Sequence, residues 1–169
     1  MTPPGAGRMK TLYVLRHGKA AAEAEAQSDH ERELTSRGRN EVRHAAHHLR
    51  KRPTAPSLIL ASAAARARQT AEACVAALPD VRLVLVDELY LAEPSSYLAE
   101  LAERAEPHAA VMVVGHNPGL EALIYVLTER SEHLATASLV EIELEVASWP
   151  ELSQRGKGRA GRITDVFRS

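Results

Sequence analysis

The chain has 169 residues, a formal net charge of −1, 45% hydrophobic residues and only 4% aromatic ones. That length suits one domain with a sizeable core, and the aliphatic content argues against a disordered chain. The charge gives no global pull toward nucleic acid or acidic lipid, a single cysteine excludes an internal disulfide, and no apolar run is long enough to span a membrane.

Residues 1–9 lack the hydrophobic stretch of a secretory leader. They read as a flexible tail ahead of one domain over 10–169, expected in the cytoplasm. Thr11 to Arg16 is an apolar strand that ends in Arg16-His17-Gly18. Gly18 to Glu33 is polar and long for a simple connection, which points to a functional or mobile loop. Thr35 is placed to cap a helix over Ser36 to Lys51, with Val42, Ala45, Ala46 and Leu49 at helical spacing, and Pro53 and Pro56 stop it. His44, His47 and His48 on that helix have no acidic or cysteine partners nearby in sequence and read as a solvated face rather than a metal site.

Ser57 to Ala61 is a continuous apolar run suited to a buried parallel strand. A helix follows within Ser62 to Leu78, with Cys74 on its buried side. Val81 to Val86 is a third strand, Pro94 to Glu106 a helix, and Ala109 to Gly115 a fourth strand. Leu120 to Glu129 is helical, with Pro118 suited to its first turn and Asn117 to its cap. Ser138 to Glu145 alternates and reads as an edge strand, Gln154 to Arg162 as a hairpin loop, and Arg162 to Phe167 as a last short strand. Strands alternating with helices imply a three-layer α/β/α sandwich on a mainly parallel mixed sheet.

Ligands of such sheets bind beyond the carboxyl ends of the strands. Strand one ends in Arg16-His17, strand two leads through Ser62 to Arg66, and strand four ends in Gly115-His116-Asn117. Two histidines and two arginines at one rim are what phosphoryl transfer through an imidazole requires. One histidine attacks, while guanidinium groups and an imidazolium hold the oxygens and the developing charge. Gly18 lets the chain turn sharply and approach a ligand. No P-loop or nucleotide fingerprint is present.

Leu15-Arg16-His17-Gly18, the segment Ser62…Arg66-Ala67-Arg68-Gln69-Thr70-Ala71 and Val114-Gly115-His116-Asn117-Pro118-Gly119 together resemble the histidine phosphatase superfamily. The short length and Asp29-x-x-Arg32-x-Leu34-Thr35-x-x-Gly38 are similar to the SixA-type phosphohistidine phosphatases. The resemblance implies a phosphoglycerate-mutase-like α/β sandwich. It implies that His17 is the nucleophile, that Arg16 and Arg66 bind phosphate, and that His116 is the second histidine at the phosphoryl group. Arg32 is implied as a further phosphate ligand from the loop, and Asp29 as a group that orients a neighbouring arginine or histidine. Gly18 and Asn117 complete the expected substrate-binding set. No metal and no cofactor are expected, because guanidinium groups can supply the positive field.

Many superfamily members that cleave phosphomonoesters carry an acid after the third strand. Leu91 stands at the corresponding position here, as the sequence aligns by eye, with Glu88 and Glu93 on either side. An alkoxide leaving group needs a proton, whereas imidazole is a far weaker base. The missing acid therefore points to a phosphoramidate substrate, phosphohistidine on a signalling or phosphotransfer protein. Two alternatives stay open. One is a broad small-molecule phosphomonoesterase on the same fold, which an acid near His17 would favour. The other is a non-catalytic phosphoprotein-binding module, which would have no need of the nucleophile.

Overall fold

The computed structural model describes residues 9–169. The expected tail, apart from Met9, lies outside the described residues. Six strands form one sheet in the order β3-β2-β4-β1-β5-β6: β1 (Lys10–Arg16), β2 (Leu58–Ser62), β3 (Arg82–Val86), β4 (Ala110–Gly115), β5 (Leu139–Leu144) and β6 (Gly161–Phe167). The pairs β1–β4, β2–β4 and β2–β3 are parallel, while β1–β5 and β5–β6 are antiparallel. The helices are α1 (Ser36–Arg50), α2 (Ala65–Ala77), α3 (Pro94–Arg104), α4 (Gly119–Thr128) and a short α5 (Glu151–Gln154).

The central strands are buried on both faces, and the two-residue period of a strand sorts their side chains into two cores. Leu12 and Val14 of β1, Leu58 and Leu60 of β2 and Val111 and Val113 of β4 pack with Tyr97, Leu101, Leu120, Leu123 and Ile124 of α3 and α4. Tyr13, Leu15, Ile59, Ala61, Met112 and Val114 face the other way, onto α1 and α2. This is the three-layer α/β/α sandwich. Small residues on α2, namely Ala67, Ala71 and Cys74, let that helix lie close to the sheet. Leu60 is fully buried, so Leu60→Ala would cost about 2–5 kcal/mol through lost burial and the cavity left behind.

Local signals explain the helix that frames the long loop. The Thr35 hydroxyl accepts the Gly38 N–H at 3.0 Å, so α1 starts where an N-cap belongs. Gly38 itself lies so close to the loop that a Cβ there would sit 2.0 Å from the Lys19 carbonyl oxygen.

Three expectations are corrected. The strand over 139–144 is not an edge: β6 pairs along it, so the sheet edges are β3 and β6. Alternation arose because β5 faces two helical layers unequally, with Glu141 and Glu143 taken up by Arg52 and Arg162. The stretch expected as a hairpin loop opens with the end of α5, and only its remainder connects to β6. His48 is not merely solvated. Its Nε2 lies 2.6 Å from an Asp165 carboxylate oxygen, and its ring stacks on Phe167 at 4.5 Å. That contact comes from β6, 117 residues away in sequence.

Candidate active site

β1 and β4 are parallel neighbours with Arg16 opposite Gly115. His17 and His116, each one residue further on, therefore emerge side by side, with ring centroids 5.2 Å apart. β2 flanks β4, and the chain beyond Ser62 turns into α2 so that its first turn presents Arg66. On the other flank β5 begins at the same rim. The Ala137 N–H donates to the carbonyls of Arg16 and His17, and the Arg16 N–H donates to that of Ser138. The sheet thus delivers Arg16, His17, Arg66 and His116 to one rim, as the strand ends implied.

The His17 ring is oriented by its own backbone. Nδ1 is 2.7 Å from the Gly18 carbonyl oxygen. A carbonyl only accepts, so Nδ1 carries the proton and Nε2 is left with a free lone pair. Burial, reinforced by Arg66, Arg16 and Arg32, pushes the His17 imidazole down to about 4, although the Gly18 bond acts the other way. His116 is pushed down to about 3 by burial, then by His17 and Arg66. Both rings are neutral at neutral pH. The imidazolium expected from sequence is corrected to a neutral imidazole, because two arginines and a second histidine share its buried surroundings.

The guanidinium groups of Arg66, Arg32 and Arg16 are each anchored. Arg66 is 3% exposed and donates through Nη1 to the Asp29 carbonyl and through Nη2 to the Asp29 carboxylate. Arg32 donates from Nε to the Ala21 carbonyl at 2.7 Å and from Nη1 to the other Asp29 carboxylate oxygen at 2.9 Å. Tyr90 also donates its hydroxyl to Asp29. Bonds from Tyr90 and Arg32, and then Arg66, hold the Asp29 carboxyl well below the usual carboxylate range. Asp29 thus ties the long loop to α2 and sets two arginines at once. Tyr90 was not anticipated. It sits edge-on to His116 with centroids 5.6 Å apart, and one tyrosine after a strand carries no signal of that in the sequence.

Arg16 is held from the other side. Its Nη1 donates to the Leu134 carbonyl at 2.9 Å, and its Nε is buried without a partner among the described residues. The Asn117 amide donates to that same carbonyl and to Glu121 Oε1, which also accepts the Leu134 N–H. Asn117 is therefore neither the α4 cap, which is Pro118, nor a free phosphate donor, since both hydrogens of its amide are spent clamping the 134 turn. Gly18 also differs from expectation. Its N–H donates to Thr70 Oγ1 at 3.1 Å, and its size is required by packing, because a Cβ would lie 2.7 Å from the Gly38 carbonyl and from Val42. Gly115 is needed for a similar reason: a Cβ there would lie 2.0 Å from the Tyr97 hydroxyl.

No acid takes the place of Leu91, whose side chain is exposed and whose backbone is left-handed at φ 49. Glu88 and Glu93 are exposed, and Glu88 exerts its field on Arg104 of α3. The carboxylate that acts on His116 is Asp29, already engaged by three donors. An oxyanion entering here would meet a neutral nucleophilic nitrogen, a second imidazole and fixed guanidinium groups.

Residues 12–90 match the model of the histidine phosphatase superfamily (branch 1). That span includes Arg16, His17 and Arg66, and His116 lies beyond it. An uncharacterized protein of Picosynechococcus sp. is 34% identical over 138 residues, which cover 76% of this chain and 82% of that protein. The chain belongs to the histidine phosphatase superfamily. Among solved structures of SixA proteins, the proposed phosphohistidine phosphatase SixA from Nakamurella multipartitia superposes with a TM-score of 0.81 at 26% identity, covering 95% of this chain and 96% of that one. The protein histidine phosphatase SixA complexed with tungstate superposes with a TM-score of 0.74 at 25% identity, covering 94% and 96%. The fold is thus the phosphoglycerate-mutase-like fold of histidine phosphatases, and the protein is a hydrolase of phosphate esters or phosphoramidates. Among the described residues no helix is long and apolar enough to cross a membrane.

Proposed function

We propose that the protein hydrolyses phosphohistidine on a partner protein, through a phosphohistidine formed on its own His17. The observation that carries this reading is the state of the carboxylates. Leu91 aligns with the position at which superfamily phosphomonoesterases carry an acid, Glu88 and Glu93 are exposed, and Asp29 is held ionised by Tyr90, Arg32 and Arg66. A phosphomonoester would have to expel an alkoxide without help. Phosphohistidine protonated on its remote ring nitrogen departs as neutral imidazole and needs no acid at the phosphorus.

In the first step His17 Nε2 attacks phosphorus and the substrate P–N bond breaks. The low basicity of His17 keeps its lone pair free at neutral pH, and it also makes His17 a good leaving group later. Arg16, Arg66 and Arg32 hold the phosphoryl oxygens with charge-assisted hydrogen bonds, and His116 adds a neutral N–H. In the second step water attacks phosphorus, the bond to His17 breaks and inorganic phosphate leaves. Asp29 acts through the arginines it holds. The SixA structure solved with tungstate, a tetrahedral oxyanion, supports an anion site in a protein of this shape.

The test compares kcat/KM for a histidine-phosphorylated protein and for an alkyl phosphate such as glycerol phosphate, whose leaving group is an alkoxide. The proposal expects the phosphoramidate to be preferred by at least about 100-fold, the lower range of what a general acid contributes. Equal or better turnover of the monoester would instead establish a broad phosphomonoesterase.

A further inference from the structure

Among the described residues, the hydrogen bonds of the His116 ring can be counted. Ser62, at the end of β2, is fully buried. Its Oγ lies 2.8 Å from His116 Nε2 and accepts the Ala64 N–H at 3.3 Å, and the hydroxyl has no other partner among the described residues. His116 is 2% exposed, and its Nδ1 is buried with no partner among the described residues. A neutral imidazole has one N–H, so there are two ways to place the hydrogens.

If Nε2–H donates to Ser62, two groups are left wanting: the serine hydrogen has no acceptor and the Nδ1 lone pair has no donor. If Ser62 donates to Nε2, the serine is satisfied as donor and acceptor. One orphan then remains, an Nδ1–H on a ring that packs 5.2 Å from that of His17 and feels the charges of Arg66 and Arg16. Buried groups left without partners cost free energy, so the arrangement with fewer orphans is preferred. The remaining orphan is also the one an oxyanion would satisfy.

We infer that Ser62 is a positioning residue whose hydroxyl donates to His116 Nε2 and fixes the Nδ1–H tautomer, turning the neutral ring into a donor for a phosphoryl oxygen. This rests on the reading of His116 as a phosphoryl ligand given above. It accounts for how a ring that stays uncharged can still stabilise a developing oxyanion. It also gives Ser62 a task that burial of a small side chain would not require.

The experiment is ¹⁵N NMR of histidine-labelled protein, alone and with tungstate, on wild type, Ser62→Ala and Ser62→Thr, alongside steady-state kinetics. The wild-type spectrum needs no variant to fold. It should show His116 protonated at Nδ1 and unprotonated at Nε2, with the Nδ1–H signal moving when tungstate binds. Ser62→Ala should lose the single tautomer and roughly 10²-fold in kcat, the scale of losing one oxyanion donor. Ser62→Thr, which keeps the hydroxyl, should restore the tautomer and most of the rate. A wild-type ring protonated at Nε2 overturns the inference, as does a Ser62→Ala protein with unchanged tautomer and kcat. An inactive wild type with the Nδ1–H form intact would refute the phosphatase reading while supporting the tautomer assignment.

Discussion

Lowering the pH from 7 to 4.5 charges any imidazole free to take a proton, and the two active-site rings are not free to do so in the folded protein. His17 is held at about 4 and His116 at about 3, against about 6.5 for an unfolded histidine. Between those values the unfolded chain binds more protons than the folded one. Stability therefore rises with pH across this window and is lost as pH falls from about 7 toward 4. For His17 the loss between pH 7 and 4.5 is about 2 kcal/mol, and for His116 it is of similar size. Because the rings lie 5.2 Å apart and each disfavours charge on the other, the two shares will not simply add. Urea denaturation of wild type, His17→Asn and His116→Asn at both pH values measures this directly. Other histidines and the carboxylates contribute equally to all three proteins and cancel in the comparison. Each variant should lose about 2 kcal/mol less than wild type on acidification. Parallel losses in all three proteins would show that these rings are not neutral buried imidazoles, and the account of the nucleophile would fail with them.

Asp29→Asn removes the charge that three donors share, so inhibition by inorganic phosphate should weaken and kcat/KM should fall by roughly 10²-fold, the scale of misplacing a binding group by about 1 Å. Unchanged kinetics would mean Arg66 and Arg32 hold their positions unaided. Gly115→Ala drives a methyl into the Tyr97 hydroxyl and should destabilise by about 1–3 kcal/mol. Adding Tyr97→Phe should recover part of that loss in a thermal-melt cycle, and strict additivity would exclude the clash. His48→Ala should cost about 1 kcal/mol of stability, since its carboxylate contact is partly exposed, and should leave kcat unchanged.

The sheet and the residues at its rim were largely legible because they rest on short-range patterns. Apolar runs bounded by charged rim residues marked the strands, Thr35 announced its helix, and the strand ends placed Arg16, His17, Arg66 and His116 together. What stayed hidden depends on contacts far apart in the chain. Tyr90 reaches Asp29 across 61 residues, and Arg16 meets the Leu134 carbonyl across 118. Neither partner has a composition that marks it. Asn117 and Gly18 fell into motifs that suggest ligand contact, yet their hydrogen-bonding groups are spent on Glu121, Leu134 and Thr70. The protonation state of His116 was misjudged for a related reason. A sequence shows which charges exist, but the balance between burial and neighbouring guanidinium groups appears only once the rings are packed.

The central claim is that His17 carries the phosphoryl group. Rapid-quench trapping with a radiolabelled phosphoramidate donor, on wild type and His17→Ala, tests it most directly. The account predicts an acid-labile, base-stable phosphoenzyme in wild type, with the phosphoryl group on Nε2 of His17, and neither phosphoenzyme nor turnover in the variant. Turnover that survives in His17→Ala, or a label that maps to another residue, would contradict it.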